Sequence, residues 1–209
     1  NPVTDEVVVT IKENSGVYTY DGTQKEVTGY EVESISNALY TESNIAFNGE
    51  AREEGTNAGT YNMELTAENF TNTSANFENV RFEIVDGTLV INKKDVTVTA
   101  DDKTKVYGET DPELTATVEG LINNDTVDYT VTRAEGENVG NYTITVKGNA
   151  EQGNYTVTYA SGVLKITPVT EEVVVTIKEN SEVYTYDGTQ KEVTGYVVES
   201  ISNALYEES

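Results

Sequence analysis

Apolar and polar residues alternate along this chain in short runs broken by Gly, Asn and Asp. Val7, Val9 and Ile11 share one face of the first run, with Val8, Thr10 and Lys12 on the other. That is the two-residue period of a strand with one covered face. Asn14-Ser15-Gly16 turns the chain into a short strand over 17–20, and Asp21-Gly22 is a turn pair, since Gly tolerates positive φ. Alternation resumes over 26–35, where Tyr30 and Val32 oppose Glu31 and Glu33. It returns at Ile45 and Phe47, at Tyr61, Met63 and Leu65, and at Val80, Phe82 and Ile84. Residues 50–55 and 69–76 read as polar loops, and Asp86-Gly87 reads as a hairpin turn into Thr88-Leu89-Val90-Ile91. Residues 35–40 read as a bend or a single helical turn, because no apolar stripe at helical spacing is sustained. Six to eight strands in about ninety residues, with short links, predict an all-β, immunoglobulin-like antiparallel β-sandwich.

From Val96 the plan repeats with different residues. Val106-Tyr107-Gly108 stands in the place of Tyr18-Thr19-Tyr20-Asp21-Gly22, and the run from Asn138 to Val146 matches the run from Asn57 to Leu65. Lys93-Lys94-Asp95 lies between the two modules without a Gly, Ser or Pro run, which predicts limited bending there. Residues 168–209 then repeat residues 2–43 at a constant offset of 166, differing at four of 42 positions. The four are Asp5/Glu171, Gly16/Glu182, Glu31/Val197 and Thr41/Glu207. The expected organisation is an elongated tandem array: a module over 1–93, a second over 94–168, and the first half of a further module over 169–209. Four strands of such a half would leave one apolar face and bare edges. It is therefore expected to fray, or to complete itself as a strand-exchanged homodimer through 169–209.

One motif occurs in both modules: Asn-x-Gly-x-Tyr-x-apolar-x-apolar, opening at Asn57 and at Asn138. Its spacing is that of the tyrosine corner of immunoglobulin-like sandwiches, with Met63 and Ile144 where antibody domains place a cysteine. Gly59 and Gly140 are expected to turn the chain sharply into a central strand. Tyr61 and Tyr142 are expected to bury their rings while each hydroxyl reaches back to the backbone.

Val17-Tyr18-Thr19-Tyr20-Asp21-Gly22-Thr23-Gln24 resembles the signature of the bacterial YDG-type repeat. Lys105-Val106-Tyr107-Gly108-Glu109-Thr110-Asp111-Pro112, with Leu114 and Gly120-Leu121, resembles the YGX-type MBG repeat. Gly153-Asn154-Tyr155 and Gly162-x-Leu164-x-Ile166 fit the ending of that repeat. The resemblance implies β-sandwich modules strung along large secreted or surface-attached bacterial proteins, many of them adhesins. It implies a stalk or adhesive array outside the cell, and it supplies no catalytic residues.

Composition narrows the chemistry. Thirty-seven acidic residues against thirteen basic give a net charge of −24, which repels nucleic acid and anionic membranes. The same charge keeps an extended protein soluble and discourages lateral association. With no His and no Cys, ordinary zinc sites, His-based triads and disulfides are excluded. No run reaches the ~18 apolar residues of a membrane helix. Asp101-Asp102, Asn123-Asn124-Asp125 and Glu171-Glu172 are oxygen-rich candidates for calcium, yet no EF-hand or glycine-rich calcium repeat is present. A chain without cofactor is the preferred reading.

The function expected is a non-catalytic stalk or spacer of a cell-surface protein. The alternative is an adhesive module that binds a host glycan or surface protein through its end loops. An exposed cluster of tyrosines (Tyr18, Tyr20, Tyr30 or Tyr40) lining a groove would favour the adhesive reading, and buried rings the spacer.

Overall fold

The computed structural model describes residues 2–207, and its regular structure is strand apart from two short 3-10 turns at Glu42–Asn44 and Ala67–Asn69. The first ten strands are β1 (Val7–Glu13), β2 (Gly16–Thr19), β3 (Lys25–Thr28), β4 (Tyr30–Ile35), β5 (Ile45–Phe47), β6 (Arg52–Gly55), β7 (Gly59–Asn62), β8 (Phe70–Asn72), β9 (Val80–Val85) and β10 (Thr88–Asn92). They form two three-stranded sheets, ordered β4-β1-β9 and β2-β10-β7, with the ribbons β3-β6 and β5-β8 beside them. Val7, Val9 and Ile11 of one sheet and Leu89 and Ile91 of the other meet in one core with Met63, Leu65, Phe70 and Phe77.

The antiparallel expectation fails at two pairs. β1 runs parallel to β9 and β2 runs parallel to β10. The cause lies at the turns. β1 and β2 are consecutive but belong to different sheets, and so are β9 and β10. Asp86-Gly87 therefore carries the chain across the core instead of closing a hairpin. Glu13, buried at this crossing, accepts the Leu65 amide at 2.6 Å and the Gly87 amide at 2.7 Å. Its carboxylate satisfies two backbone donors that no ladder reaches.

The next eight strands are β11 (Lys94–Ala100), β12 (Lys103–Val106), β13 (Ala116–Glu119), β14 (Thr130–Arg133), β15 (Gly140–Lys147), β16 (Glu151–Gln152), β17 (Tyr155–Ala160) and β18 (Gly162–Thr167). They make two sheets, β13-β11-β17-β16 and β12-β18-β15-β14. The parallel pairs recur: β11 with β17, and β12 with β18. Val96, Val98, Ile144, Val157, Leu164 and Ile166 fill the space between the sheets.

Three local expectations also change. The run 26–35 is two strands, β3 and β4, which separate at Gly29 and pair with different partners. Residues 50–55 contain β6, whose acidic side chains are tolerated because Arg52 pairs with Glu26 and Glu54. Residues 69–76 contain β8, with Phe70 turned into the core.

Of the four strands expected in 169–207, only β19 (Val175–Glu179) and β20 (Tyr196–Ile201) form. They pair antiparallel with the same register irregularity as β1 and β4. Residues 182–185 and 191–194 copy β2 and β3 yet are not strands. In the first copy β2 pairs with β10 and β3 with β6, and the described residues supply no second set of those partners. Strand exchange through 169–209 would require β9 and β10, which here are already paired with β1 and β2 of the same chain. Among the described residues no helix is long and apolar enough to cross a membrane.

Candidate functional site

The richest convergence of the residues singled out in the sequence lies where the first module meets the second. A single residue, Lys93, separates β10 from β11, and its ammonium pairs with Glu151 at 2.5 Å. Tyr20, at the end of β2, is anchored by its amide on the Asn92 carbonyl. Its ring meets the Tyr155 ring edge-on, with centroids 5.6 Å apart. Both hydroxyls donate to the same Asp125 oxygen, Tyr155 at 2.6 Å and Tyr20 at 3.2 Å. Burial, and then this carboxylate, push the Tyr155 phenol up to about 12, so it stays a donor at every physiological pH.

A second contact runs beside it. Asn154 accepts the Ala58 amide at 2.8 Å and donates to the Asn57 side chain at 3.0 Å. Asn57 thus serves both the joint and the corner, because its carbonyl accepts the Tyr61 hydroxyl at 2.9 Å. In the second module the Tyr142 hydroxyl donates to the Asn138 carbonyl at 2.8 Å. Both rings are half-buried rather than enclosed. Gly59 and Gly140 are extended strand residues, not sharp turns. The glycines the rings require are Gly55 and Gly136, where a Cβ would stand 2.6 Å and 2.2 Å from the Tyr61 and Tyr142 rings. The working motif is therefore Gly-x-Asn-x-Gly-x-Tyr, and its first glycine is a signal that the sequence held unread. The two copies of the motif lie in different modules and do not form one site.

Each module also fixes the loop that presents its tyrosine. In the first, Asp21 accepts the Thr23 amide and hydroxyl at 2.9 and 2.6 Å and pairs with Lys25 at 2.5 Å. The Lys25 ammonium, and then Thr23, hold the Asp21 carboxyl well below the usual carboxylate range. In the second, Lys105 is buried and donates to the Glu109 carbonyl at 3.1 Å, to Asp111 at 2.7 Å, and to Glu137. Arg133 bridges Asp111 and Glu137 and lies over the Tyr142 ring at 5.8 Å. Arg133 and Lys105 depress the Asp111 carboxyl, and the two carboxylates in turn raise Lys105. Lys105 and Asp111 of the quoted signature thus pair in a clasp around Tyr107-Gly108, which the Glu109 carbonyl helps to close.

Tyr20 and Tyr40 are buried, Tyr30 is half-buried, and Tyr18 is exposed with its hydroxyl on the Glu26 carbonyl. They do not line a common groove. Three of the oxygen-rich candidates are engaged by protein donors: Asp101 accepts Thr115 and Thr117, Asp102 accepts the Val163 amide, and Asp125 accepts the two tyrosines. Among the described residues no group of three or more acidic side chains is placed to hold a metal ion.

No curated protein and no solved structure matches the chain. A family model does: that of the MBG domain, YGX type, over residues 96–165. The match spans β11 to β18, the Lys105–Asp111 clasp, the Tyr142 corner and the Asn154-Tyr155 pair that grips the preceding module. Residues 96–165 of this chain are thus similar to the MBG domain of the YGX type.

Proposed function

We propose that the chain is a non-catalytic spacer of a bacterial surface or secreted protein, whose task is to hold distance. The observation that carries this reading is the joint. With one residue between β10 and β11, the two modules are held by three sets of contacts, Lys93–Glu151, Tyr20–Asp125–Tyr155 and Asn57–Asn154. A connection this short and this bonded resists bending, which is what a spacer requires. The net charge of −24 supports the same reading, since neighbouring stalks of like charge stay apart. The adhesive alternative would draw on a groove of exposed tyrosines, and the burial of Tyr20 and Tyr40 weighs against it.

Residual dipolar couplings of the two modules test the reading. A spacer gives a single alignment tensor for β1–β10 and β11–β18, and the Tyr20→Phe, Asn154→Ala double variant separates them. Independent tensors in the unmodified chain would show a flexible connection and remove the argument.

A further inference from the structure

We infer that the turn Asn37-Ala38-Leu39-Tyr40 is a docking surface, and that it receives the apolar end of a YGX-type MBG module carrying Tyr107, Gly108, Val139 and Pro168. Two joints in the chain share one construction. In each, a glycine that follows the tyrosine of one module lies against the turn that follows β13 or β20 of the next. A Cβ on Gly22 would stand 1.8 Å from the Asn123 side chain, and a Cβ on Gly108 would stand 2.1 Å from Leu205. Both glycines hold left-handed φ, +77° and +88°, which other residues adopt only under strain. The glycine is thus both the bend and the seat.

The chemistry of the two seats differs. The first is polar, built from Asn57, Asn123, Asp125 and Asn154. The second is apolar: Tyr107, Val139 and Pro168 of one module line a cleft of about 240 Å³ with Val169 and Leu205 of the following segment. Leu205 lies among apolar groups in the second seat, whereas the first presents amide and carboxylate groups beside the Tyr20–Tyr155 pair. Such a difference selects which module follows which.

The turn Asn203-Ala204-Leu205-Tyr206 that fills the apolar seat is identical in sequence to 37–40. It is also identical in its internal bonds. The Leu205 amide donates to the Asn203 side chain at 2.9 Å, as Leu39 does to Asn37 at 2.9 Å. The Tyr206 and Tyr40 amides close the turn on the Asn203 and Asn37 carbonyls at 3.1 and 3.0 Å. The Asn-Ala-Leu part of the knob is therefore presented twice, with Tyr40 held in the core of its own module where Tyr206 lines the cleft. Leu205 is 47% exposed in its seat, whereas Leu39 is 76% exposed and has none. This inference concerns only the order of the modules and holds whether the chain is a spacer or an adhesive.

The test exploits a chain without cysteine. A second copy of residues 94–167 is placed directly before Pro2, which recreates the natural Thr167-Pro168 junction. That chain carries V139C in the added copy together with L39C, and the reference is the unextended chain with V139C and L205C. A short bis-maleimide is expected to cross-link both pairs to within about twofold, as tethered neighbours do. Cross-linking of the reference pair with less than about a tenth of that yield in the extended chain would overturn the proposal. Absence of cross-linking in both chains would overturn it too, because the Leu205 seat would then be wrong. In a third chain a copy of residues 2–93 with A58C replaces the added module. Its polar end is expected to leave L39C unlinked, and equal yield there would overturn the selectivity.

Discussion

The chain contains a comparison of its own: residues 2–43 and 168–207 carry nearly one sequence in two surroundings. In the first copy Ile11 is wholly buried and Tyr20 is 6% exposed; in the second Ile177 is 58% and Tyr186 is 93% exposed. Local features survive the change. The Asp187 carboxylate accepts the Thr189 amide and pairs with Lys191, as Asp21 does with Thr23 and Lys25. Asn180 reaches the Thr194 carbonyl as Asn14 reaches Thr28. Everything that depended on residues 44–93 is missing: the strands at 182–185 and 191–194, the burial of the β1 face, and the two amides on Glu13. Alternation names the residues that can face a core. A partner strand decides whether they do.

Paired substitutions sharpen this contrast. Ile11→Ala opens a cavity in a filled core and is expected to cost about 2–5 kcal/mol, whereas Ile177→Ala is expected to stay within about 0.5 kcal/mol. Urea unfolding of the two variants reads both, and similar costs would break the comparison. Next comes Glu13→Ala, which strands two buried amides at about 1–3 kcal/mol each. Glu179→Ala, exposed and without those donors, should leave the urea midpoint in place. Tyr20→Phe removes one hydroxyl from Asp125 and should cost about 0.5–1.5 kcal/mol. It should also loosen the first joint in the dipolar couplings, while Tyr186→Phe changes neither.

The smallest effect is a titration. Asp21 and Asp187 are both held below the usual carboxylate range, first by the neighbouring lysine and then by threonine. A depressed folded-state value means that any stabilisation is present above the unfolded value near ~3.9 and is lost as pH falls through the folded one. Carbon-detected NMR should show both aspartates ionised after ordinary carboxylates have protonated. An ordinary value for Asp187 alone would mean that its turn, too, depends on residues 44–93.

The all-β class and most strand positions were legible because alternation and Gly/Asn/Asp punctuation are local. The YGX-type signature was legible for the same reason, since Lys105 to Asp111 is one contiguous loop. The parallel pairs were not. Nothing near Asn14 or Gly87 announces that a turn crosses between sheets, and the device that holds the crossing, Glu13, looks like any exposed acid until Leu65 and Gly87 arrive from far along the chain. The joint was half legible. Asn57 and the Tyr20-Asp21-Gly22 loop stood out as motifs, and Asn154 and Tyr155 as part of a family ending. That they grip one another across 97 residues is set by the packing of two modules, which no local pattern encodes.

Amide hydrogen exchange across the whole chain tests the central claim most directly, since both copies are measured in one sample. Strong protection is predicted over Val7–Glu13 and Gly16–Thr19, weaker protection over Val175–Glu179, and almost none over 182–195. Equal protection in the two copies would contradict the claim that partner strands, and not local sequence, decide where this chain is ordered.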